Sequence, residues 1–147
     1  MSENKKTVLI TGANKGLGFK TARQLGAKGY TVLVGARDET RGAEAIAKLK
    51  NEGFDADFVK IDVTNAETIK SAAEKVGEKY GKLDVLINNA TIALDSTEKA
   101  SELSSDIIRK TFDTNFFGVI AITQAFLPLI KKSESGRIVN VSSGLGC

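Results

Sequence analysis

Between the β-branched run Thr7-Val8-Leu9-Ile10 and a segment of helical period stand three glycines spaced Gly-x-x-x-Gly-x-Gly, in Thr11-Gly12-Ala13-Asn14-Lys15-Gly16-Leu17-Gly18. Few chains need so much backbone freedom in so short a turn. Gly12 can take the turn out of the strand, Gly16 lets the backbone approach a pyrophosphate, and Gly18 lets the following helix pack close to a sheet. The helix N-terminus then offers free N–H groups and a partial positive charge to phosphates. A steric turn with no ligand is the plainer alternative. The placement between a first strand and a first helix, with a second strand at the expected distance, favours dinucleotide binding. A P-loop would need Gly-Lys-Ser/Thr, and the nearest stretch, Gly18-Phe19-Lys20-Thr21, carries an inserted residue.

The rest of the chain repeats the same alternation. Strands are expected at Thr7–Ile10, Thr31–Val34, Phe58–Ile61, Val85–Ile87 and Arg137–Val141, and helices at Leu17–Lys28, Glu39–Glu52, Ala66–Tyr80 and about Ser104–Lys131. Pro128 is expected to kink the last turn of the long helix. Continuous apolar strands alternating with helices predict a parallel sheet covered on both faces. Right-handed crossovers make it doubly wound, an α/β fold in one domain over residues 1–147.

Composition removes several functions. The sequence has no His and a single Cys, Cys147, so zinc and haem sites of the usual kinds are excluded, as are Ser-His-Asp and Cys-His nucleophile systems. One thiol makes no internal disulfide, and Met1–Lys6 is polar without the apolar region of a secretion signal, so a cytoplasmic protein is expected. The net charge of +3 comes from scattered Lys rather than a cluster, which argues against a nucleic-acid partner. The longest apolar stretch, Phe116 to Ile130, is broken by Gly118, Thr123, Gln124 and Pro128, and is expected to be too short and too mixed to span a membrane.

Cofactor choice turns on the end of the second strand, Val34-Gly35-Ala36-Arg37-Asp38. An acidic side chain there bonds a ribose 2′-OH, whereas an Arg accommodates a 2′-phosphate. Ala36 stands at the acidic position and Arg37 just beyond it, with Lys15 as a second positive charge, so NADP(H) is expected. The alternative is that Asp38 faces the ribose and favours NADH.

The glycine loop, Asn88-Asn89-Ala90, Thr114-Asn115 and Asn140-Val141-Ser142-Ser143 follow one another as in the short-chain dehydrogenases/reductases. The detail resembles the carbonyl reductase branch, through Asn14-Lys15-Gly16, Ala36-Arg37-Asp38-Glu39-Thr40-Arg41-Gly42, Tyr80-Gly81-Lys82-Leu83-Asp84-Val85-Leu86, Asn115-Phe116-Phe117-Gly118 and Leu127-Pro128-Leu129-Ile130-Lys131. The resemblance covers nearly all of this chain and about the first half of a family member, and it implies a Rossmann-like sheet truncated after the fifth strand. Gly12, Gly16 and Gly18 would then line the pyrophosphate, with Asn14, Lys15 and Leu17 in the same cofactor loop. Asp62 and Val63 would hold the adenine, and Asn89 and Ala90 would touch the ribose. Ser143 would hydrogen-bond the substrate carbonyl, and Asn115 would anchor a water of the proton relay.

Two departures from the family pattern stand out. Thr91 replaces the Gly that usually follows Asn-Asn-Ala, which would crowd the nicotinamide ribose. The family's catalytic Tyr with a Lys four residues on is absent: the tyrosines are Tyr30 and Tyr80, followed four residues later by Val34 and Asp84. The resemblance therefore implies an NADPH-dependent oxidoreductase acting on a small carbonyl or alcohol substrate, present as an N-terminal portion with little turnover alone. A non-catalytic dinucleotide-binding module is one alternative, and a structural half with a relic loop is another. The unpaired edge of the fifth strand predicts self-association or marginal solubility.

Overall fold

The computed structural model describes residues 5–89 and 105–141. Among the described residues five strands and four helices alternate: β1 (Thr7–Thr11), α1 (Gly16–Ala27), β2 (Thr31–Ala36), α2 (Glu39–Asn51), β3 (Ala56–Lys60), α3 (Ala66–Tyr80), β4 (Val85–Asn88), α4 (Ser105–Lys131) and β5 (Arg137–Asn140). All strand pairs are parallel, in the order β3-β2-β1-β4-β5. The order reverses direction between β1 and β4. Open parallel sheets bind ligands at the carboxyl ends of the strands beside such a reversal.

Period-two alternation in the strands sorts the core into two layers. Val8, Ile10, Val32 and Val34 point to one face, where Ala22 of α1 and Ala45 and Leu49 of α2 meet them. Leu9, Leu33 and Leu86 point to the other, under Ile69, Ala72 and Val76 of α3 and Ile122 and Phe126 of α4. The strands are therefore apolar at nearly every position because both faces are covered. This is the doubly wound α/β sheet expected from the alternation.

The strand ends differ from the sequence expectation by a few residues. β2 runs on through Gly35 and Ala36, and a Cβ at Gly35 would lie 3.2 Å from the Ile10 carbonyl oxygen. β3 starts earlier, at Ala56, because its register is set by β2, with Val32 opposite Ala56 and Ala36 opposite Lys60.

One expectation is corrected. The apolar stretch expected to be too short and too mixed to span a membrane lies in α4, a helix of 27 residues, which at about 1.5 Å per residue is roughly 40 Å long. By length and composition it could cross a bilayer. The helix runs through Gly118, Thr123, Gln124 and Pro128 to Lys131, the end expected for it. Its stripe of Gly118, Ile122, Phe126, Leu129 and Ile130 is buried, and α4 is the core helix of this layered fold.

At the N-terminal edge of the sheet, Asp84 gathers three elements. Its carboxylate accepts from the Thr7 N–H at 2.8 Å, the Ser133 hydroxyl at 2.6 Å and the Lys82 ammonium at 3.3 Å. Its backbone joins Thr7 and Arg137. The glycine loop lies at the opposite end of the strands.

Candidate nucleotide-binding site

The turn after β1 uses its glycines in three different ways. Gly12 and Gly16 sit at φ of 64° and 61°, the left-handed region that L side chains rarely adopt. A Cβ on Gly16 would meet nothing within 4 Å, so the space above it is open. A Cβ on Gly18 would fall 2.5 Å from Asn89 Nδ2 and 2.6 Å from the Gly12 carbonyl oxygen. Gly18 is thus the point where α1 presses against the sheet.

The helix N-termini differ in kind. Asp38 caps α2 by accepting from the Arg41 N–H at 3.1 Å, and Asn65 caps α3 by accepting from the Glu67 and Thr68 N–H groups. Lys15 stands at the cap position of α1 and makes no side-chain cap, and the first turn of α1 holds no acidic residue. Helices ordinarily satisfy their first N–H groups with such caps. At α1 the cap residue supplies none.

Asn88 and Asn89 work to opposite sides of that reversal. The Asn89 N–H donates to Thr11 Oγ1 at 2.9 Å, and its Nδ2 donates to the Gly12 carbonyl at 3.2 Å, holding the glycine loop. Asn88 Nδ2 donates to Asn140 Oδ1 at 2.9 Å and, more weakly, to Thr123 Oγ1 at 3.4 Å, while its carbonyl accepts from the Val141 N–H. Oδ1 of Asn88 is buried with no hydrogen-bond partner among the described residues. The pair ties the loop after β1 to the end of β5, the strand leading to Ser143.

Arg37 is exposed just past β2, and no ion pair joins it to a described residue. Asp38 is engaged with α2, and the Arg41 amide and side chain hold its carboxyl below the ordinary value. Asp62 lies half-buried after β3 with Val63 beside it, and a Cβ on Gly118 of α4 would come within 3.2 Å of Val63 Cβ. Asn115 is half-buried in mid-α4. Ala90 and Ser143 lie outside the described residues, as does Thr91. Tyr80 donates its hydroxyl to Asp57 Oδ2 at 3.1 Å near the start of β3, away from the carboxyl ends.

A cavity of about 210 Å³ between the glycine loop and α2 is lined by Asn14, Lys15, Arg41, Glu44, Ala45 and Lys48. Arg41 and Lys48 were given no role in the sequence reading. The signal for Arg41 was there: once Asp38 is seen as a helix cap, a residue three on returns one turn later to the same end. A larger groove, about 460 Å³ between α3 and α4, shares no residue with the glycine loop.

The family model of the short chain dehydrogenases matches residues 6–147. Short-chain dehydrogenase anuI of Penicillium roqueforti is 45% identical over 97% of this chain and 57% of its own length. Mouse carbonyl reductase [NADPH] 1 is 41% identical over 97% of this chain and 50% of its own. Among solved structures, an actinorhodin polyketide ketoreductase variant with NADPH superposes with a TM-score of 0.83 at 33% identity, over 95% of this chain and 54% of that one. The chain thus spans about half the length of the curated relatives it matches. The glycine turn, the strand reversal beside it and the match along nearly the whole sequence agree: the chain belongs to the short-chain dehydrogenase family.

Proposed function

We propose that this chain is the NADP(H)-binding domain, residues 1–147, of a cytoplasmic carbonyl reductase-like oxidoreductase acting on a small carbonyl or alcohol. The observation that carries the reading is the contrast at the helix N-termini: α2 and α3 are closed by their own side chains, and α1 is left open beside the strand reversal. The residues present fit a dinucleotide. Gly16 leaves open space above a left-handed backbone, and Gly18 admits no Cβ. Backbone N–H groups of the Gly12–Gly18 loop, Asn14 and Leu17 included, would receive the pyrophosphate. Arg37 and Lys15, with Arg41 beside them, would hold the 2′-phosphate. Asp62 and Val63 would take the adenine, and Asn89 and Ala90 the ribose.

When bound, the nicotinamide would supply the hydride chemistry. Ser143 steadies the substrate oxygen, and Asn115 orders the water behind it. Within residues 1–147 neither Tyr30 nor Tyr80 is followed by a Lys four residues on. A positioned general acid contributes about 10²–10⁴-fold. The chain alone is therefore expected to show little or no turnover, and rapid NADPH oxidation with a simple quinone or aldehyde overturns that expectation.

Arg37→Glu tests the cofactor assignment. Hydrogen bonds to charged groups are each worth about 1.5–3 kcal/mol, so NADPH affinity should fall roughly ten- to a hundredfold while NADH affinity changes little. Binding is read by titration calorimetry. Equal losses for both dinucleotides refute the 2′-phosphate role.

A further inference from the structure

The segment between β3 and α3 is tied down far more closely than its exposure requires. The Asp62 N–H donates to Thr68 Oγ1 at 3.0 Å, and that hydroxyl lies 3.1 Å from the Asp62 carbonyl and 2.8 Å from the Asn65 carbonyl, to one of which it donates. The Asp62 carbonyl also accepts from the Asn65 N–H at 2.9 Å. On the side chain, Oδ1 of Asp62 accepts both the Thr64 N–H at 2.9 Å and the Thr64 hydroxyl at 2.6 Å. Oδ2 has no partner among the described residues. The Thr64 hydroxyl draws this carboxyl below its ordinary value against a burial that pushes it up, with the positive charge of Arg37 assisting. Asp62 is thus an ionised acceptor at neutral pH, with one oxygen fixed and one to spare.

We infer that Thr68, backed by Thr64, is a positioning residue that gives this site its preference for an aminopurine. Thr68 holds the Asp62 backbone from the first turn of α3, and Thr64 holds one carboxylate oxygen, so the other is presented in a single orientation. A fixed anionic acceptor bonds an exocyclic amine and repels a carbonyl oxygen in the same place. The inference rests on the placement of Asp62 against the adenine in the proposed function. It adds that the discrimination between adenine and hypoxanthine depends on two threonines that need not touch the nucleotide.

The experiment measures binding of NADPH and of its hypoxanthine counterpart to the chain and to Thr68→Val, Thr68→Ser and Thr64→Val. Loss of one charge-assisted hydrogen bond corresponds to roughly a ten- to hundredfold preference for NADPH in the unaltered chain. Thr68→Val should bring that ratio to within a few-fold of one, and Thr68→Ser should restore it. A merely structural hydroxyl would weaken both ligands equally and leave the ratio alone. If the unaltered chain discriminates and folded Thr68→Val does so equally well, the positioning role is refuted and the adenine placement stands. If Thr68→Val does not fold, exposed Thr64→Val decides by the same ratio: a fall supports the role and no change refutes it. If the unaltered chain binds both dinucleotides alike, the adenine placement itself fails and takes the inference with it. Failure to bind NADPH at all refutes the nucleotide reading.

Discussion

Asp84 is only 1% exposed and still belongs to the charged state at neutral pH. Burial pushes its carboxyl up, but the Ser133 hydroxyl, the Thr7 N–H and the Lys82 ammonium together bring it below the ordinary value. A carboxylate whose folded value is lowered stabilises the fold above its unfolded value, about 3.9, and that contribution is lost as the pH falls through the lower folded value. Asp84→Asn should therefore melt at a lower temperature than the unaltered chain at pH 7. The two melting temperatures should approach each other as the pH drops below about 4, where the wild-type advantage titrates away. Thermal unfolding followed by circular dichroism from neutral to acid pH checks this, and parallel curves would refute it. At the same scale, the ion pair of Lys79 with Asp57 at 2.7 Å is half-exposed, and its contribution to stability is small.

At the scale of elements, close approach is bought with missing side chains at two junctions. α1 meets the sheet end at Gly18, and α2 meets β3 at Gly42, where a Cβ would fall 2.1 Å from the Phe58 ring. Phe58 is half-buried on an edge strand and can turn away, whereas Gly18 faces the backbone of Gly12 and Ala13. Gly18→Ala should accordingly displace α1 from the sheet, costing about 1–3 kcal/mol of stability as overpacking does. NADPH affinity should fall with it, because the same shift moves the N–H groups of the first turn. Chemical denaturation together with NADPH titration reads both effects. A stable variant with unchanged affinity would show that the close approach is dispensable.

For the whole molecule, the two edges of the sheet are unlike. β3 carries Asp57 and Lys60, and charged residues on an edge discourage pairing with another chain. β5 is Arg-Ile-Val-Asn, with Ile138 39% and Val139 44% exposed. Among the described residues the other large exposed apolar side chains, Leu17 apart, lie on the first half of α4, where Phe116 and Phe117 stack edge to face and are each 63% exposed. Apolar patches of this kind favour association. The chain as given should self-associate with rising concentration in sedimentation velocity, and Val139→Lys should shift it toward monomer. A clean monomer at high concentration would count against this.

The order of strands and helices, the two-faced core and the glycine turn were legible in the sequence because each rests on local pattern: period-two alternation, helical period, and positions that only glycine can fill. Gly12 and Gly18 could be given distinct tasks from spacing alone, and the left-handed φ of Gly12 and the close approach of α1 at Gly18 agree with them. The limits of β3 were not legible, because Asp57 looks like a strand breaker until β2 fixes the register beside it. Nor was Lys48 of α2 as a wall of the cavity beside Lys15. Each of these depends on which elements become neighbours, and a chain read one residue at a time does not contain that information. The sequence by itself determined a doubly wound sheet with a glycine-rich turn after its first strand; only the tertiary structure decided that the turn is braced by Asn89 and that Asn88 reaches across to β5, because both bonds join segments far apart in the chain.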